Sequence, residues 1–386
     1  MSQVLNPLPT MIPVARPFIG HEEEGKVLDV LRSGWVTQGP RVAEFEAKFS
    51  AYVGCEHAIA VSSCTTALQL ALQACGVGPG DEVICPSFSF IATANSIAVL
   101  GAKPVFADID LVTYNIDPGQ IEALITPQTK AIMVVHQIGL PAEMSAFRQL
   151  ADKHGLKLVE DAACAIGAEY EGSLIGRPIG DFACFSFHPR KIMTTGEGGM
   201  ITTRDASLAE RLRRLRQHAM SLSDVARHSA RQIVVESYDE VGYNFRMTDM
   251  QAAIGLVQLE RLPGLLERRR LLAQRYSDAL SSLSWLKTPR VPANCTHNYQ
   301  SYMVRVADEV ISSRDGIMQQ LLEKNISTRR AIMAIHREAP YKTSWWDAKL
   351  PNTCMATSAG IILPLFHQMT EFEQDYVIDA LFDIRL

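Results

Sequence analysis

Lys191 follows the apolar run Phe182-Ala183-Cys184-Phe185-Ser186-Phe187-His188-Pro189-Arg190 and precedes Thr194-Thr195-Gly196-Glu197-Gly198-Gly199. The run reads as a buried strand, and the glycines as tight turns that let backbone approach a flat ligand. A lysine desolvated there has a lowered pKa, and its free amine can form a Schiff base with an aldehyde. The competing reading is a surface lysine on a hairpin turn. Asp161 closes a second apolar run, after Leu158-Val159-Glu160. Neighbours on a strand face opposite sides, so only one of Glu160 and Asp161 can meet a shared ligand. A carboxylate at the end of a buried strand needs a partner. Capping Ala162-Ala163 would provide one; so would a protonated ring nitrogen held by a charge-assisted hydrogen bond. That carboxylate together with a Schiff-base lysine is the arrangement pyridoxal phosphate needs.

The same cofactor needs a phosphate cup and a wall for its ring. Ser63-Cys64-Thr65-Thr66 lies between a short strand and an amphipathic helix. Free N–H groups and the helix dipole there favour an anion, although Ser or Thr before a helix also serves as an ordinary cap. Thr65, Thr66 and Ser186 could add hydroxyls. Phe88 or Phe90, after the apolar stretch 83–85, could stack on a ring, and core packing suits both equally. The segment from Gly242 to Asp249 is a polar turn ahead of a helix, with Thr248 or Asp249 as its cap.

The elements that must hold these groups alternate. Strands are expected over 58–62, 82–85, 104–107, 131–136 and 157–161, and helices over 21–33, 42–53, 90–100, 142–154 and 205–217, with a further helix opening at Ser63. This alternation predicts a mostly parallel sheet with helices on both faces and a ligand at the carboxyl ends of the strands. Residues 219–237 read as a polar, irregular connection. A long helix is expected over 248–283, broken at Pro263-Gly264. Beyond it a strand over 299–306 and helices over 313–324 and 371–382 read as a smaller α+β unit. The division is placed at 1–255 for an N-terminal arm and large domain, and 256–386 for the small domain.

Composition narrows the class. With 386 residues, 47% of them hydrophobic, the chain can bury a large core. A formal net charge of -5 argues against nucleic acid or an anionic membrane as main partner. The eight cysteines form no C-x-x-C pair, so reduced thiols and no metal site are expected. Met1 to Val14 lack a secretory pattern, and no apolar run reaches the length of a membrane span, which predicts a cytoplasmic protein.

In this order the motifs resemble the DegT/DnrJ/EryC1/StrS family of sugar aminotransferases, from Ile12-Pro13-Val14-Ala15-Arg16-Pro17 to Leu363-Pro364-Leu365. The matching stretches between them are 34–40, 80–84, 160–163, 185–199 and 242–253. The resemblance implies an α/β protein of the PLP-dependent transferase fold type I, like aspartate aminotransferase, acting as a homodimer with shared active sites. It implies Lys191 as the Schiff-base lysine and Asp161 as the ring-nitrogen partner. Cys64, Thr65 and Ser186 fall on the phosphate, Phe90 on the ring face, and Asn244 on the phosphate from the other subunit. Trp35, Thr37 and Gly39 fall in the loop that meets a nucleotide sugar, and His336 in a segment lining the substrate side. His188 is a further substrate-side candidate. The implied reaction moves an amino group from glutamate to a nucleotide-linked keto-sugar. Two alternatives share the fold. Sugar dehydratases carry histidine where the lysine stands, and a regulatory homologue would lack the lysine or the aspartate; this chain keeps both. Cys164 is a departure, since Gln or His commonly stands there and contacts the ring hydroxyl. Arg190, Arg329 and Arg330 are less typical and could meet an acidic substrate.

Overall fold

The computed structural model describes residues 10–222, 233, 235–342 and 349–386. In chain order these form α1 (His21–Ser33), α2 (Pro40–Val53), β1 (His57–Val61), α3 (Cys64–Ala74), β2 (Glu82–Pro86), α4 (Ala92–Ala98), β3 (Lys103–Ala107) and β4 (Thr129–Val135). There follow α5 (Met144–His154), β5 (Lys157–Asp161), β6 (Glu169–Tyr170), β7 (Ser173–Leu174), β8 (Phe182–Ser186), β9 (Gly199–Thr203) and α6 (Ala206–Leu215). The chain continues with α7 (Asp249–Leu280), β10 (Leu286–Lys287), β11 (Cys295–Thr296), β12 (Tyr302–Val306) and α8 (Arg314–Glu323). It ends with β13 (Arg329–Arg330), α9 (Pro351–Ala359), β14 (Gly360–Leu363) and α10 (Glu371–Phe382). Most of the irregular connection expected over 219–237, and the first nine residues of the segment read for a secretory signal, lie outside the described residues.

Seven strands form the main sheet in the order β1-β9-β8-β5-β4-β2-β3. All are parallel except β9, which runs antiparallel to both β8 and β1. The strands are near-continuous apolar runs because both faces are covered. Ile84, Ile132, Val134, Leu158 and Phe185 share one hydrophobic cluster with α2, α5 and α7. Val83, Cys85, Met133, Val159 and Cys184 share another with α3 and α6. Alternate residues of one strand thus enter opposite cores, which fixes register: a one-residue slip would exchange every contact.

A four-stranded antiparallel sheet, β10-β12-β14-β13, carries the C-terminal part, and β11-β6-β7 form a third, small sheet. α7 joins the two larger cores. Leu256 to Leu266 pack in the first cluster, and Leu272, Ala273, Tyr276 and Leu280 in that of the small sheet. Ile12 of the N-terminal arm also enters the latter cluster and bridges to Ile326.

Three local expectations are corrected. α7 does not break at Pro263-Gly264 but continues to Leu280 with Pro263 inside it. A proline there forfeits a backbone hydrogen bond at a cost of about 3 kcal/mol or more. Burial of Leu259, Leu262, Leu265 and Leu266 around it offsets that cost. The strand expected from 299 starts only at Tyr302, since Tyr299 has a φ of 51°, outside the extended region. The helix expected from Phe90 begins at Ala92, so Phe90 lies in the turn ahead of it.

Candidate active site

β8 and β9 form an antiparallel pair joined by the loop that carries Lys191. The hairpin reading is therefore correct for the backbone, but the side chain is not at an open surface. Lys191 Nζ donates to Cys164 Sγ at 3.1 Å. The backbone on each side of the lysine is gripped by one residue: Gln300 Nε2 donates to the Arg190 carbonyl at 2.6 Å, and Gln300 Oε1 accepts from Ile192 N–H at 3.1 Å. Arg269 in turn fixes the carbonyls of Tyr299 and Gln300. Thr194 N–H binds Gln258 Oε1 at 3.3 Å, and the Thr194 hydroxyl donates to the Phe187 carbonyl.

The expected lowering of the Lys191 pKa is not found. Burial pushes the ammonium down, but the Cys164 sulfur, then Cys64 and Asp161, hold the charge, and the net direction is up. Lys191 here is a held ammonium. It acts as a nucleophile only after losing that proton.

Asp161 ends β5 and is buried, with Oδ1 accepting from Ala163 N–H at 3.2 Å and Oδ2 from the Thr93 hydroxyl at 3.1 Å. Thr93 in turn meets the Ser89 hydroxyl at 2.8 Å. Burial pushes the carboxyl up, opposed by the Ala163 N–H, the Lys191 charge and the Thr93 hydroxyl. Glu160 points away, to His136 Nε2 at 3.1 Å and Gly180 N–H at 2.7 Å. His136 Nδ1 accepts from Ala142 N–H, so the proton sits on Nε2 and donates to Glu160. The two adjacent carboxylates do face opposite sides. Asp161 also meets the capping expectation through Ala163, yet each of its oxygens keeps a lone pair for a second donor.

Ser63 caps α3, its Oγ accepting from Thr66 N–H at 3.2 Å. The Thr66 hydroxyl turns back to the Ser63 carbonyl, so it is spent on the cap. Cys64 and Thr65 present their amides at the helix start, while the Cys64 thiol is buried and pushed well up by burial. Gly199 makes this approach possible: a Cβ there would lie 2.6 Å from the Ser63 carbonyl carbon. Ser186 pairs with Gly199 in register, which brings its hydroxyl to the same edge of the sheet.

These features fit pyridoxal phosphate by their donor chemistry: an amine, a buried carboxylate, and a helix N-terminus with an adjacent hydroxyl. The two phenylalanines now separate. Phe88 is fully buried beside Tyr114, whereas Phe90 is 65% exposed.

The remaining candidates are each held by local contacts of their own. His188 Nδ1 accepts from Arg190 N–H at 3.2 Å, and burial lowers the His188 pKa, with Arg190, Lys191 and Arg329 adding to it. A small cavity beside the loop is lined by Arg16, Arg190, Lys191, Arg269 and His367. Gly39 N–H binds Asp249 Oδ1 at 2.8 Å and lies under the Trp35 indole, which donates to the Gln38 carbonyl. Thr37 accepts from Asp249 N–H through its carbonyl. This loop thus docks on the start of α7. Asn244 is exposed and bridges to Gln217, and the carbonyl of the next residue, Phe245, accepts from Ser62 N–H, next to the α3 cap. His336 is buried and bound to Ser87 at 2.7 Å. Pattern reading missed Thr93, Ser89 and Gln300, because Thr93 and Gln300 act across large gaps in sequence and Ser89 acts through Thr93. Among the described residues no cluster of His, Cys, Asp or Glu is arranged to hold a metal, and no helix is long and apolar enough to cross a membrane.

The DegT/DnrJ/EryC1/StrS aminotransferase family matches residues 17–382. The spore coat polysaccharide biosynthesis protein SpsC of Bacillus subtilis (strain 168) is 41% identical over 377 residues, 97% of each chain. The aminotransferase TlmJ from Streptoalloteichus hindustanus superposes with a TM-score of 0.88 at 36% identity, covering 96% of this chain and 98% of that one. Spr1654 from Streptococcus pneumoniae in its PLP form gives a TM-score of 0.89 at 29% identity over 96% of this chain and 97% of its own.

Proposed function

Since the chain belongs to the DegT/DnrJ/EryC1/StrS aminotransferase family and is a pyridoxal-phosphate-dependent aminotransferase of the aspartate-aminotransferase fold, we propose that it transfers an amino group from glutamate to the keto group of a nucleotide-linked sugar. The observation that carries this reading is Lys191, held by Cys164 Sγ at 3.1 Å in the loop after β8, with buried Asp161 at the end of the adjacent parallel strand β5 acting on its charge. Bound pyridoxal phosphate supplies an aldehyde that condenses with amines and a ring that accepts the electron pair left at the donor's α-carbon.

The protein's residues do the rest. Asp161 holds a proton on the ring nitrogen, and its burial keeps that charge pair strong. Lys191 would lose its ammonium proton to solvent, and its free amine would then carry a proton from the α-carbon of the donor and later return one to the acceptor carbon. Positioned transfer of this kind contributes roughly 10²- to 10⁴-fold. Gln300 holds the lysine backbone still while the side chain moves. Amides of Cys64 and Thr65 with Ser186 take the phosphate, and Phe90 takes the ring face. The cationic cavity with Arg16, Arg190 and Arg269 supports an acidic amino donor, and Arg329 near His188 supports an anionic acceptor. Trp35, Thr37, Gly39 and His336 belong to the sugar side. The exposure of Asn244 supports a homodimer in which Asn244 of the partner subunit completes the phosphate site. The division at 1–255 and 256–386 and a cytoplasmic location complete the proposal.

The test is transfer of ¹⁵N from labelled glutamate to a panel of nucleotide-linked keto-sugars, read by mass spectrometry with 2-oxoglutarate release. One labelled amino-sugar nucleotide is the expected product. Transfer to free keto-sugars alone, or from alanine but not glutamate, would contradict the proposal.

A further inference from the structure

The turn between β2 and α4 holds more than a ring wall. Ser89 and Phe90 sit within it and Thr93 in the first turn of α4, and Ser89 and Thr93 are both buried. Thr93 N–H closes the turn on the Phe90 carbonyl at 3.1 Å. The Thr93 hydroxyl has a single proton, and an ionised carboxylate only accepts. At 3.1 Å from Asp161 Oδ2 that proton goes to Asp161, so at the 2.8 Å contact between Ser89 and Thr93 it is Ser89 that donates. The hydrogen bonds therefore run in one direction, Ser89 to Thr93 to Asp161.

We infer that Thr93 is a positioning residue for Asp161, its hydroxyl oriented by Ser89, so that the carboxylate is fixed and stays anionic opposite the cofactor's ring nitrogen. The inference rests on Asp161 as the ring-nitrogen partner. Two features support it beyond the distances. A buried carboxylate that loses a donor is left short of a partner in a site that penalises its charge. The same turn bears Phe90, so the stacking ring and the tether of Asp161 are set by one piece of backbone. The titratable groups that face Asp161 are Lys191 from the loop after β8, His136 after β4, Cys64 on α3 and Cys184 on β8. None of them replaces a hydroxyl donor at Oδ2.

The experiment compares Thr93→Val, which keeps shape and removes the donor, with Thr93→Ser, which keeps the donor. Pyridoxal phosphate affinity is titrated by absorbance, and the pH midpoint of the bound cofactor's visible band is recorded. Thr93→Val is expected to weaken binding about tenfold, the equivalent of about 1.4 kcal/mol, and to displace the midpoint. Thr93→Ser should stay within about threefold of the parent with its midpoint restored. Ser89→Ala should show a smaller shift in the same direction and add nothing in a Thr93→Val background, as expected for residues acting in series. Should Thr93→Val not accumulate as folded protein, Ser89→Ala and Thr93→Ser carry the same comparison. Equal losses in the Val and Ser variants, an unmoved midpoint in Ser89→Ala, or additive losses in the double variant would overturn the relay. Asp161→Asn is the control: if it is impaired while Thr93→Val is not, the relay alone fails; if it matches the parent, the role of Asp161 fails.

Discussion

The two ends of the site are built differently. At the end holding Asp161 and Lys191, side chains are enclosed and tethered, by the neighbouring Ala163 and the distant Thr93 on the carboxylate, by Cys164 on the amine and by Gln300 on the backbone. At the proposed sugar end, Trp35 and Thr37 lie in the loop between α1 and α2, and Thr37 is exposed. Groups that handle protons must be held to a fraction of an ångström, which calls for a rigid, hydrogen-bonded frame. Groups that recognise a substrate can sit on loops, which vary without disturbing the sheet beneath. Substitutions at the enclosed end should therefore change kcat, and those at the exposed end KM.

The largest expected effect is that of Lys191→Ala. It removes both the amine that condenses with the cofactor and the proton carrier, so single-turnover transfer should fall below detection, beyond the roughly 10²- to 10⁴-fold of a proton-transfer group alone. Asp161→Asn comes next, with kcat lower by about 10²- to 10³-fold, the scale of one preorganised electrostatic partner. Stopped-flow absorbance of the glutamate half-reaction measures it directly.

Gln300→Ala sharpens the comparison, because the hydrogen bonds of the Gln300 side chain go to backbone. A loss of about tenfold in kcat with KM unchanged is expected, together with a stability loss of about 1–3 kcal/mol from the unpaired Arg190 carbonyl and Ile192 N–H, read by thermal unfolding. Cys164→Ala tests the held ammonium. The Lys191 pKa is raised, so its free amine grows only as pH climbs through and above the usual lysine range near 10.5. Removing the sulfur takes away the leading cause of that rise. The rate of pyridoxal phosphate uptake by the apo-protein, followed across pH, should then shift to lower pH. Trp35→Ala should be the mildest, raising KM for the sugar a few-fold with kcat nearly intact. A kcat loss there as large as in Asp161→Asn would break the distinction between the two ends.

The same contrast explains what was legible before the fold was known. Lys191 and Asp161 stand out because each is a charged residue ending an apolar run, a conflict visible within ten residues of sequence. The parallel sheet was legible for the same reason, as runs buried on both faces leave no polar alternation. What could not be read was anything carried by distance along the chain. Thr93 and Asp161 are 68 residues apart, and Gln300 and Ile192 are 108 apart. The Lys191 pKa went the other way because burial was visible from the apolar run, but the sulfur of Cys164 and the charge of Asp161 beside it were not. Pro263 misled because its local cost was plain, while the main-sheet core that Leu259, Leu262, Leu265 and Leu266 enter was not.

The central claim is tested most directly by borohydride reduction of the holoprotein followed by proteolysis and peptide mapping. A single pyridoxyl adduct on the peptide containing Lys191, absent in Lys191→Ala, is the predicted result. An adduct on another lysine, or a holoprotein that carries the cofactor yet yields no reduced adduct, would contradict it.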